Sequence, residues 1–178
     1  KGSNMEKSAI ISDDGKYRYR LTRKWGDGKP CLFIMLNPST ADAENDDPTI
    51  RRCINFAKAF GCEQLIVVNL FAVRATSPKD MKSTDEPVGP DNVTYVKEAS
   101  EWVGCRDRYG MPERGPIICA WGAHGEYMGQ SEEVLGWLES AGVKPMALKV
   151  TKRGMPCHPL YLPAHLRPNP LTVLQDAV

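Results

Sequence analysis

The chain has 178 residues, of which 42% are hydrophobic and 25% are charged, and its formal net charge is +1 at pH 7. These values are typical of one globular domain, and no apolar run reaches the roughly 20 residues that a membrane-spanning helix needs. The small net charge excludes a uniformly basic nucleic-acid-binding surface, but it is compatible with a local basic patch. We therefore expect a single domain that does not enter a membrane.

The first residues in chain order look like a cloning remnant and not like part of the fold. Residues 1–5 read KGSNM, so we expect the native domain to occupy residues 6–178. No charged start followed by an apolar stretch marks a signal peptide, and we therefore expect a cytoplasmic protein. Residues 11–25 alternate around an Asp-Asp-Gly turn, which predicts an N-terminal β-hairpin that precedes the core.

Alternating strand and helix patterns follow the hairpin. Short apolar runs predict four strands, at residues 32–36, 65–70, 117–121 and 144–149. Apolar stripes at helical spacing predict three helices between them, at residues 48–60, 91–103 and 131–141. The Pro-rich residues 156–170 suit an ordered surface coil. This order predicts an α/β fold, namely a three-layer α/β/α sandwich around a short, mainly parallel, four-stranded central sheet.

The six cysteines are spread irregularly and form no CxxC pair. We therefore expect free, mostly buried thiols. The motifs of phosphate-binding loops, dinucleotide-binding folds, zinc proteases and serine hydrolases are also absent. The sequence therefore predicts no cofactor.

Polar side chains gather where the predicted strands end. In parallel α/β sheets, ligands bind beyond the carboxyl ends of the strands, where loops from different strands converge. The four loops carry Asn37, Pro38, Ser39 and Thr40, then Asn69 and Arg74, then Gly122 and His124, and finally Lys152, Cys157, His158 and Pro159. We therefore expect a polar pocket at this edge of the sheet.

Two amides and one histidine of this edge suggest chemistry. The amides of Asn37 and Asn69 each offer donors and an acceptor, which matches the alternating edge of a nucleobase. Each amide equally suits hydrogen bonding within its own loop. His158 suits donation of a hydrogen bond to a developing oxyanion, and a surface histidine in a coil is the alternative.

An acidic run offers a different interpretation. Asp42, Glu44, Asp46 and Asp47 supply carboxylates of the kind that bind Mg²⁺. However, Asp47 precedes Pro48 at the start of a predicted helix, where it suits the N-cap. A solvated loop with a helix cap is therefore the alternative to a metal site.

Several segments resemble one family of bacterial and phage proteins. They are LNPSTAD (36–42), DPTIRRC (47–53), VVNLFAVRATSP (67–78), AWG (120–122) and PCHPLYLP (156–163). Together they resemble the domain-of-unknown-function family usually given the number 1643, over nearly all of residues 17–165.

Four of these motifs, in the same order, also resemble the uracil-DNA glycosylase superfamily. The similar segments are Asn37-Pro38, the strand end at Asn69, Trp121-Gly122 and the loop His158-Pro159. The resemblance implies a uracil-DNA-glycosylase-like fold. It also implies that Asn37 orients a water towards C1′ of the sugar, that Asn69 binds the Watson-Crick edge, and that His158 stabilises the leaving base. A base in a duplex would have to be flipped out of the stack.

The same resemblance implies substrate contacts from the loops around these residues. The candidates are Pro38, Ser39, Thr40, Phe71, Arg74, Gly122, Lys152 and Pro159. Phe71 is the candidate for stacking on the base, with core packing as the alternative. Asn37 cannot accept a proton as a carboxylate does, and it therefore resembles the mismatch-specific branch of the superfamily. Leu160 replaces the Ser that often follows His-Pro, so Leu160 or Tyr161 is the candidate wedge, with core packing as the alternative.

Three functions are compatible with this sequence. The first is a nucleobase- or nucleotide-binding, uracil-DNA-glycosylase-like protein that cleaves an N-glycosidic bond in DNA or in a nucleotide. The second is a non-catalytic module that binds a nucleotide or nucleic acid in the same pocket. The third is a Mg²⁺-dependent phosphate-transfer enzyme that uses Asp42, Asp46 and Asp47. The expected partner is DNA or a nucleotide.

Overall fold

The computed structural model describes residues 4–111 and 113–178. Residues 1–3 of the predicted cloning remnant lie outside this range. The described residues form one mixed sheet in the order β1-β2-β4-β3-β5-β6-β7. Its seven strands are β1 (Glu6–Ile11), β2 (Arg18–Lys24), β3 (Pro30–Met35), β4 (Gln64–Asn69), β5 (Ile117–Cys119), β6 (Met146–Ala147) and β7 (Asn169–Pro170).

The four predicted strands form the centre of this sheet, but the prediction of a four-stranded sheet was wrong. Strands β3, β4, β5 and β6 are parallel to their neighbours within the group. Strand β2 pairs antiparallel with β4, and β7 pairs antiparallel with β6. These added strands cover backbone groups of β4 and β6 that would otherwise be unpaired at the sheet edges.

The predicted N-terminal hairpin is part of the sheet and does not merely precede it. Strands β1 and β2 pair antiparallel around a turn in which Gly15 has a φ of 76°. In β2, Leu21 is opposite Val67 of β4, and it is completely buried. The alternation of apolar and polar residues in the hairpin therefore comes from β2, because its inward-pointing side chains pack in the core.

The described residues contain five α-helices. They are α1 (Pro48–Ala59), α2 (Pro78–Lys82), α3 (Asn92–Gly104), α4 (Gln130–Ser140) and α5 (Leu171–Asp176). Helices α1, α3 and α4 correspond to the three predicted helices. Asp47 is the N-cap of α1, where its Oδ1 accepts a hydrogen bond of 2.8 Å from the backbone N–H of Ile50. The short helices α2 and α5 were not predicted, because one or two turns carry little periodic signal.

Two apolar clusters occupy the opposite faces of the sheet. On one face, Phe33 and Val67 pack with Ile50 and Cys53 of α1. On the other face, Ile34 and Val68 pack with residues of α3 and α4, which include Val96 and Leu138. Adjacent strand residues enter different clusters because side chains alternate across a strand. All six cysteines are free, and Cys157 alone among them is only partly buried.

The carboxyl-terminal region mostly agrees with the predicted coil. Residues 156–168 form no strand or helix, and β7 then occupies residues 169–170. The backbone N–H of Gly122 donates to the carbonyl of Pro156 at 2.7 Å, which attaches this coil to the loop after β5. No helix in the described ranges has the length and apolar character required to cross a membrane.

Candidate functional site

A cavity of about 440 Å³ lies at the carboxyl ends of β3, β4 and β5. Its size is within the range of about 300–1,000 Å³ that is common for small-molecule sites. The predicted site residues that line it are Asn37, Pro38, Ser39, Asn69, Gly122 and His158. The four strands therefore bring together residues that are far apart in the sequence, as the strand order predicted.

The other predicted substrate contacts lie outside the cavity lining, and they are Thr40, Phe71, Arg74, Lys152 and Pro159. Phe71 is fully buried in the cluster on the α3 side of the sheet, where its ring centroid is 5.7 Å from that of Tyr127. Core packing is therefore its observed environment. Thr40 and Lys152 are exposed, and Pro159 is buried elsewhere.

Asn69 is the most unusual polar residue of the cavity. It ends β4 on the same face as Leu65 and Val67, which pack on the α1 side. Its side chain is 1% exposed, and neither Oδ1 nor Nδ2 has a hydrogen-bond partner among the described residues. A buried donor or acceptor without a partner costs about 1–3 kcal/mol of stability. Buried polar groups are nearly always hydrogen-bonded, so this amide calls for a partner from outside the chain, such as a ligand or a water.

A neighbouring asparagine holds the backbone at this strand end. The Nδ2 of Asn92 donates to the carbonyl of Asn69 at 2.8 Å and to that of Leu70 at 3.2 Å. Asn92 therefore has a structural role that the Asn69 side chain lacks. The backbone of Asn69 is fixed, while its side-chain amide has no partner among residues 4–111 and 113–178.

Asn37 uses its amide differently. Its Nδ2 donates to the carbonyl of Pro38 at 3.1 Å and to that of Ala75 at 3.0 Å. The bond to Pro38 lies within the loop after β3, and the bond to Ala75 secures this loop to the loop after β4. Because these bonds fix the orientation of the amide, its Oδ1 is the atom that can accept a hydrogen bond from a ligand or water.

His158 lies at the rim of the cavity as a neutral imidazole. The backbone N–H of Leu160 donates to its Nδ1 at 3.2 Å, so the neutral ring carries its proton on Nε2. Desolvation lowers the pKa of His158, and the negative charge of Asp47 opposes this change. The residue is exposed by its accessible area, but protein atoms around the ring still desolvate it. His158 can therefore donate a hydrogen bond through Nε2.

Arg18 is a cavity residue that the sequence analysis did not identify. It begins β2, lines the cavity and is 2% exposed. Its Nη1 donates to the carbonyl of Ala41 at 3.1 Å, and its Nε has no partner among the described residues. Burial lowers its pKa to about 10, although the charge of Asp47 acts in the opposite direction. Alternation along β2 could not have identified it, because the pattern that buries Leu21 and Arg23 would place Arg18 on the opposite face. The register shifts between Ile10 and Ile11 of β1, opposite this end of β2, and the alternation breaks there.

Trp121 forms another wall of the cavity that sequence analysis had treated only as part of a motif. The ring is 2% exposed, and its Nε1 has no partner in the described part of the chain. Gly125 packs directly against the ring, since a Cβ at this position would lie 2.6 Å from Nε1 of Trp121. Gly122 follows with a φ of 76°, which suits glycine. Gly125 therefore leaves room for the indole, and Gly122 forms the turn that follows it.

Three of the four acidic residues of the predicted magnesium site are engaged by the protein. Asp42 accepts the backbone N–H groups of Glu44 and Asn45 at 2.9 and 2.8 Å. Asp46 pairs with Arg23 at 2.7 Å. Asp47 caps α1 and also accepts the N–H of Ala41 at 3.3 Å. Within residues 4–111 and 113–178, no three His, Cys, Asp or Glu side chains are grouped to hold a metal ion.

A larger cavity of about 670 Å³ lies at the opposite ends of the strands, beside Lys29, Pro116 and Lys144. None of the buried polar side chains that lack a partner lines this second cavity. The cavity at the carboxyl ends is therefore the better candidate for a specific site.

These features define the protein as an α/β protein with a polar cavity at the carboxyl ends of its parallel strands. The chain belongs to the family described as "Protein of unknown function (DUF1643)", whose model matches residues 18–160. This match confirms the first resemblance found in the sequence. No curated protein sequence matches the chain at a significant level.

Two solved structures are similar to this one over part of their length. A hyperthermophilic esterase from the archaeon Pyrobaculum calidifontis has a TM-score of 0.40 and 15% identity, with 84% of this chain and 46% of the esterase covered. A hetero-hexameric glutamate dehydrogenase from Thermus thermophilus has a TM-score of 0.31 and 12% identity, with 79% and 31% covered. The chain spans less than half of either protein. Similarities this weak carry no argument about function.

Proposed function

We propose that the cavity binds a nucleobase and that Asn69 recognises the edge of the base. The observation that carries this proposal is the side chain of Asn69, which is 1% exposed and has a donor and an acceptor without partners. A nucleobase edge presents complementary groups side by side, and an asparagine can bind two of them at once. The cavity of about 440 Å³ has the size of a site for one small ligand.

We further propose a uracil-DNA-glycosylase-like reaction at this site. Its support is that Asn37, Asn69, Gly122 and His158, one from each of the four motifs that resemble this superfamily, line one cavity. In the reaction, a water held by Asn37 Oδ1 attacks C1′ of the sugar. The N-glycosidic bond breaks, its electron pair leaves with the base, and a proton from the attacking water passes to solvent.

His158 would stabilise the departing base. The proton on Nε2 can form a hydrogen bond to the negative charge that develops on the base as the bond breaks. A donor placed in this way is worth about 3 kcal/mol of transition-state stabilisation. A base within duplex DNA would first have to leave the stack, whereas a free nucleotide would not.

A second candidate function is binding without catalysis. Both oxygens of Asp47, the carboxylate that lines the cavity, accept backbone N–H groups, from Ile50 and from Ala41. Asn37 cannot accept a proton. The cavity therefore lacks an uncommitted carboxylate to act as general base, and this favours slow cleavage or none.

The test replaces Asn69 by leucine, which has a similar volume but no polar atoms. Binding of nucleosides and nucleotides to Asn69→Leu should weaken by about 10- to 100-fold, because two buried hydrogen bonds are lost. The variant should be as stable as the wild type, or more stable by about 1 kcal/mol, because the unpaired amide is removed. Calorimetry measures the binding, and denaturant unfolding measures the stability.

Asn92→Leu is the matched control. This variant leaves the carbonyls of Asn69 and Leu70 without their donor, and it should lose about 1–3 kcal/mol of stability. If Asn69→Leu is destabilised as strongly as Asn92→Leu, the Asn69 amide is structural and the proposal fails. Free base in the wild-type samples, detected by mass spectrometry, would indicate cleavage, and unchanged ligand would indicate the binding module.

A further inference from the structure

Strand β2 carries two buried arginines with very different surroundings. Arg23 is completely buried, and its Nε forms an ion pair of 2.7 Å with Asp46. It also donates to the carbonyl groups of Asp42 at 2.6 Å and Thr22 at 3.0 Å. Its charge is therefore neutralised, and it holds the loop between β3 and α1.

Arg18 lacks this compensation. It takes part in none of the ion pairs found among the described residues, and the one side-chain hydrogen bond found for it there goes to the carbonyl of Ala41. Its Nε has no partner in that part of the chain. A guanidinium with 2% exposure and no paired carboxylate is costly, since it has lost most of its hydration. A bound anion would remove this cost.

The carboxylate of Asp47 acts on Arg18 more strongly than any other charged group, and the cations Arg74 and Arg23 act in the opposite direction. The burial that lowers the pKa of Arg18 to about 10 outweighs the opposing charge of Asp47. Helix α1 also begins in the cavity wall, at Thr49 and Ile50, and the amino terminus of a helix attracts negative charge.

Arg18 and Asn69 line the same cavity, and both project to the α1 side of the sheet. Arg18 bonds to Ala41 in the loop before α1, while Asn69 shares the face of Leu65 and Val67. Their exposures are 2% and 1%. A ligand that contacts both side chains therefore has to reach the floor of the cavity. A phosphate monoester can end in such a site, whereas an internal phosphodiester would require the polymer chain to continue through the wall.

We propose that Arg18 binds the terminal phosphate of a free nucleotide whose base contacts Asn69. The proposal rests on the function proposed above, and it narrows the ligand from nucleic acid to a mononucleotide. The planar guanidinium suits this role because it can give two parallel hydrogen bonds to one phosphate.

The experiment compares binding of four ligands to the wild-type protein by calorimetry. They are inorganic phosphate, 2′-deoxyuridine, its 5′-monophosphate and a single-stranded oligonucleotide that contains deoxyuridine, and the comparison is then repeated for the other common bases. The monophosphate should bind about 10- to 100-fold more tightly than the nucleoside, because the bonds to Arg18 are charge-assisted. In Arg18→Met, nucleotide and nucleoside should bind equally.

Two further variants keep this test valid. Arg18→Lys retains the positive charge and should keep part of the preference for the monophosphate, even if Arg18→Met folds poorly. Arg23→Met is the structural control, and it should lose stability while the surviving folded protein keeps the preference. Loss of the preference in Arg23→Met but not in Arg18→Met would overturn the proposal.

The outcomes separate this inference from the proposed function. Equal binding of nucleoside and monophosphate to the wild type overturns the phosphate site but leaves nucleobase binding intact. Tighter binding of the oligonucleotide than of the monophosphate overturns the choice of a free nucleotide. Binding of phosphate without any nucleoside or nucleotide preference supports the Arg18 site and overturns the nucleobase proposal. No binding of any ligand overturns both.

Discussion

At the scale of a single residue, the protonation of His158 makes the stability of the fold depend on pH. The imidazole accepts the N–H of Leu160 through Nδ1, and this bond requires the unprotonated nitrogen. Protonation would place two hydrogens against each other and would also charge a desolvated ring. Both effects favour the neutral form and act in the direction of the lowered pKa.

This arrangement predicts a loss of stability in mild acid. Because the folded pKa of His158 is below the ordinary value of 6.5, the unfolded chain binds more protons between the two values. The contribution of His158 should therefore be constant above about pH 6.5 and should decrease as the pH falls towards the folded pKa. Denaturant unfolding at about pH 5 and about pH 7.5 measures the difference, which should become smaller in His158→Gln.

The exposed His165 supplies the control. His165→Gln removes a histidine that does not line the cavity, so it measures the effect of the substitution itself. If His158→Gln unfolds with an unchanged pH dependence, the His158 ring is not held neutral by the cavity rim.

At the scale of elements, the loop between β5 and α4 is built around one close contact. Gly125 lies against the indole of Trp121, and no side chain fits between them. The backbone N–H of Ser131 donates to the carbonyl of Gly125 at 2.9 Å, which ties this contact to the first turn of α4. The loop therefore positions both the wall of the cavity and the start of a helix.

Gly125→Ala should consequently destabilise the fold by about 1–3 kcal/mol and weaken ligand binding, because the added methyl group displaces the Trp121 ring. Gly136→Ala is the matched control within α4. A Cβ at Gly136 meets no atom within 4 Å, and alanine at an exposed helical position should stabilise the fold by about 0.5–1 kcal/mol. Thermal unfolding measures the stability of both variants, and calorimetry measures their ligand binding. If the two substitutions change the stability equally, the contact of Gly125 with Trp121 is contradicted.

At the scale of the whole molecule, the reactivity of the buried cysteines shows whether the domain unfolds cooperatively. Cys31 lies in β3, Cys53 in α1 and Cys119 in β5, and each is completely buried. Burial raises the pKa of all three thiols. Reaction with a thiol reagent therefore requires an opening of the fold that exposes these side chains.

If residues 6–178 form one cooperative domain, the three thiols should react at one common rate that follows global unfolding. The partly buried Cys157 should react first, although burial also raises its pKa. Labelling followed by peptide mass spectrometry measures the individual rates, with Cys157→Ser to identify the early reaction. A much faster reaction at Cys119 than at Cys31 would indicate separate unfolding units.

Local patterns in the sequence were sufficient for the central elements. The cap at Asp47 and the apolar stripe of α1 lie within a few residues of each other, so the helix is visible without tertiary information. The apolar runs of β3 and β4 are equally local. The convergence of Asn37, Asn69 and His158 followed from one general rule, because the loops after parallel strands meet at a single edge.

The tertiary structure decided which polar side chains are satisfied and which are not. Asn37 and Asn69 are both strand-end asparagines, but Asn37 bonds to Ala75 while the Asn69 amide has no partner among the described residues. Likewise, Arg18 and Arg23 lie on one strand, but of these two arginines it is Arg23 that pairs with Asp46. Hydrogen bonds and ion pairs depend on distances of a few ångströms between distant segments, whereas periodicity depends on neighbours along the chain. The sequence therefore determined the order of the elements and the edge of the sheet that holds the cavity, while only the fold distinguished its structural from its ligand-binding groups.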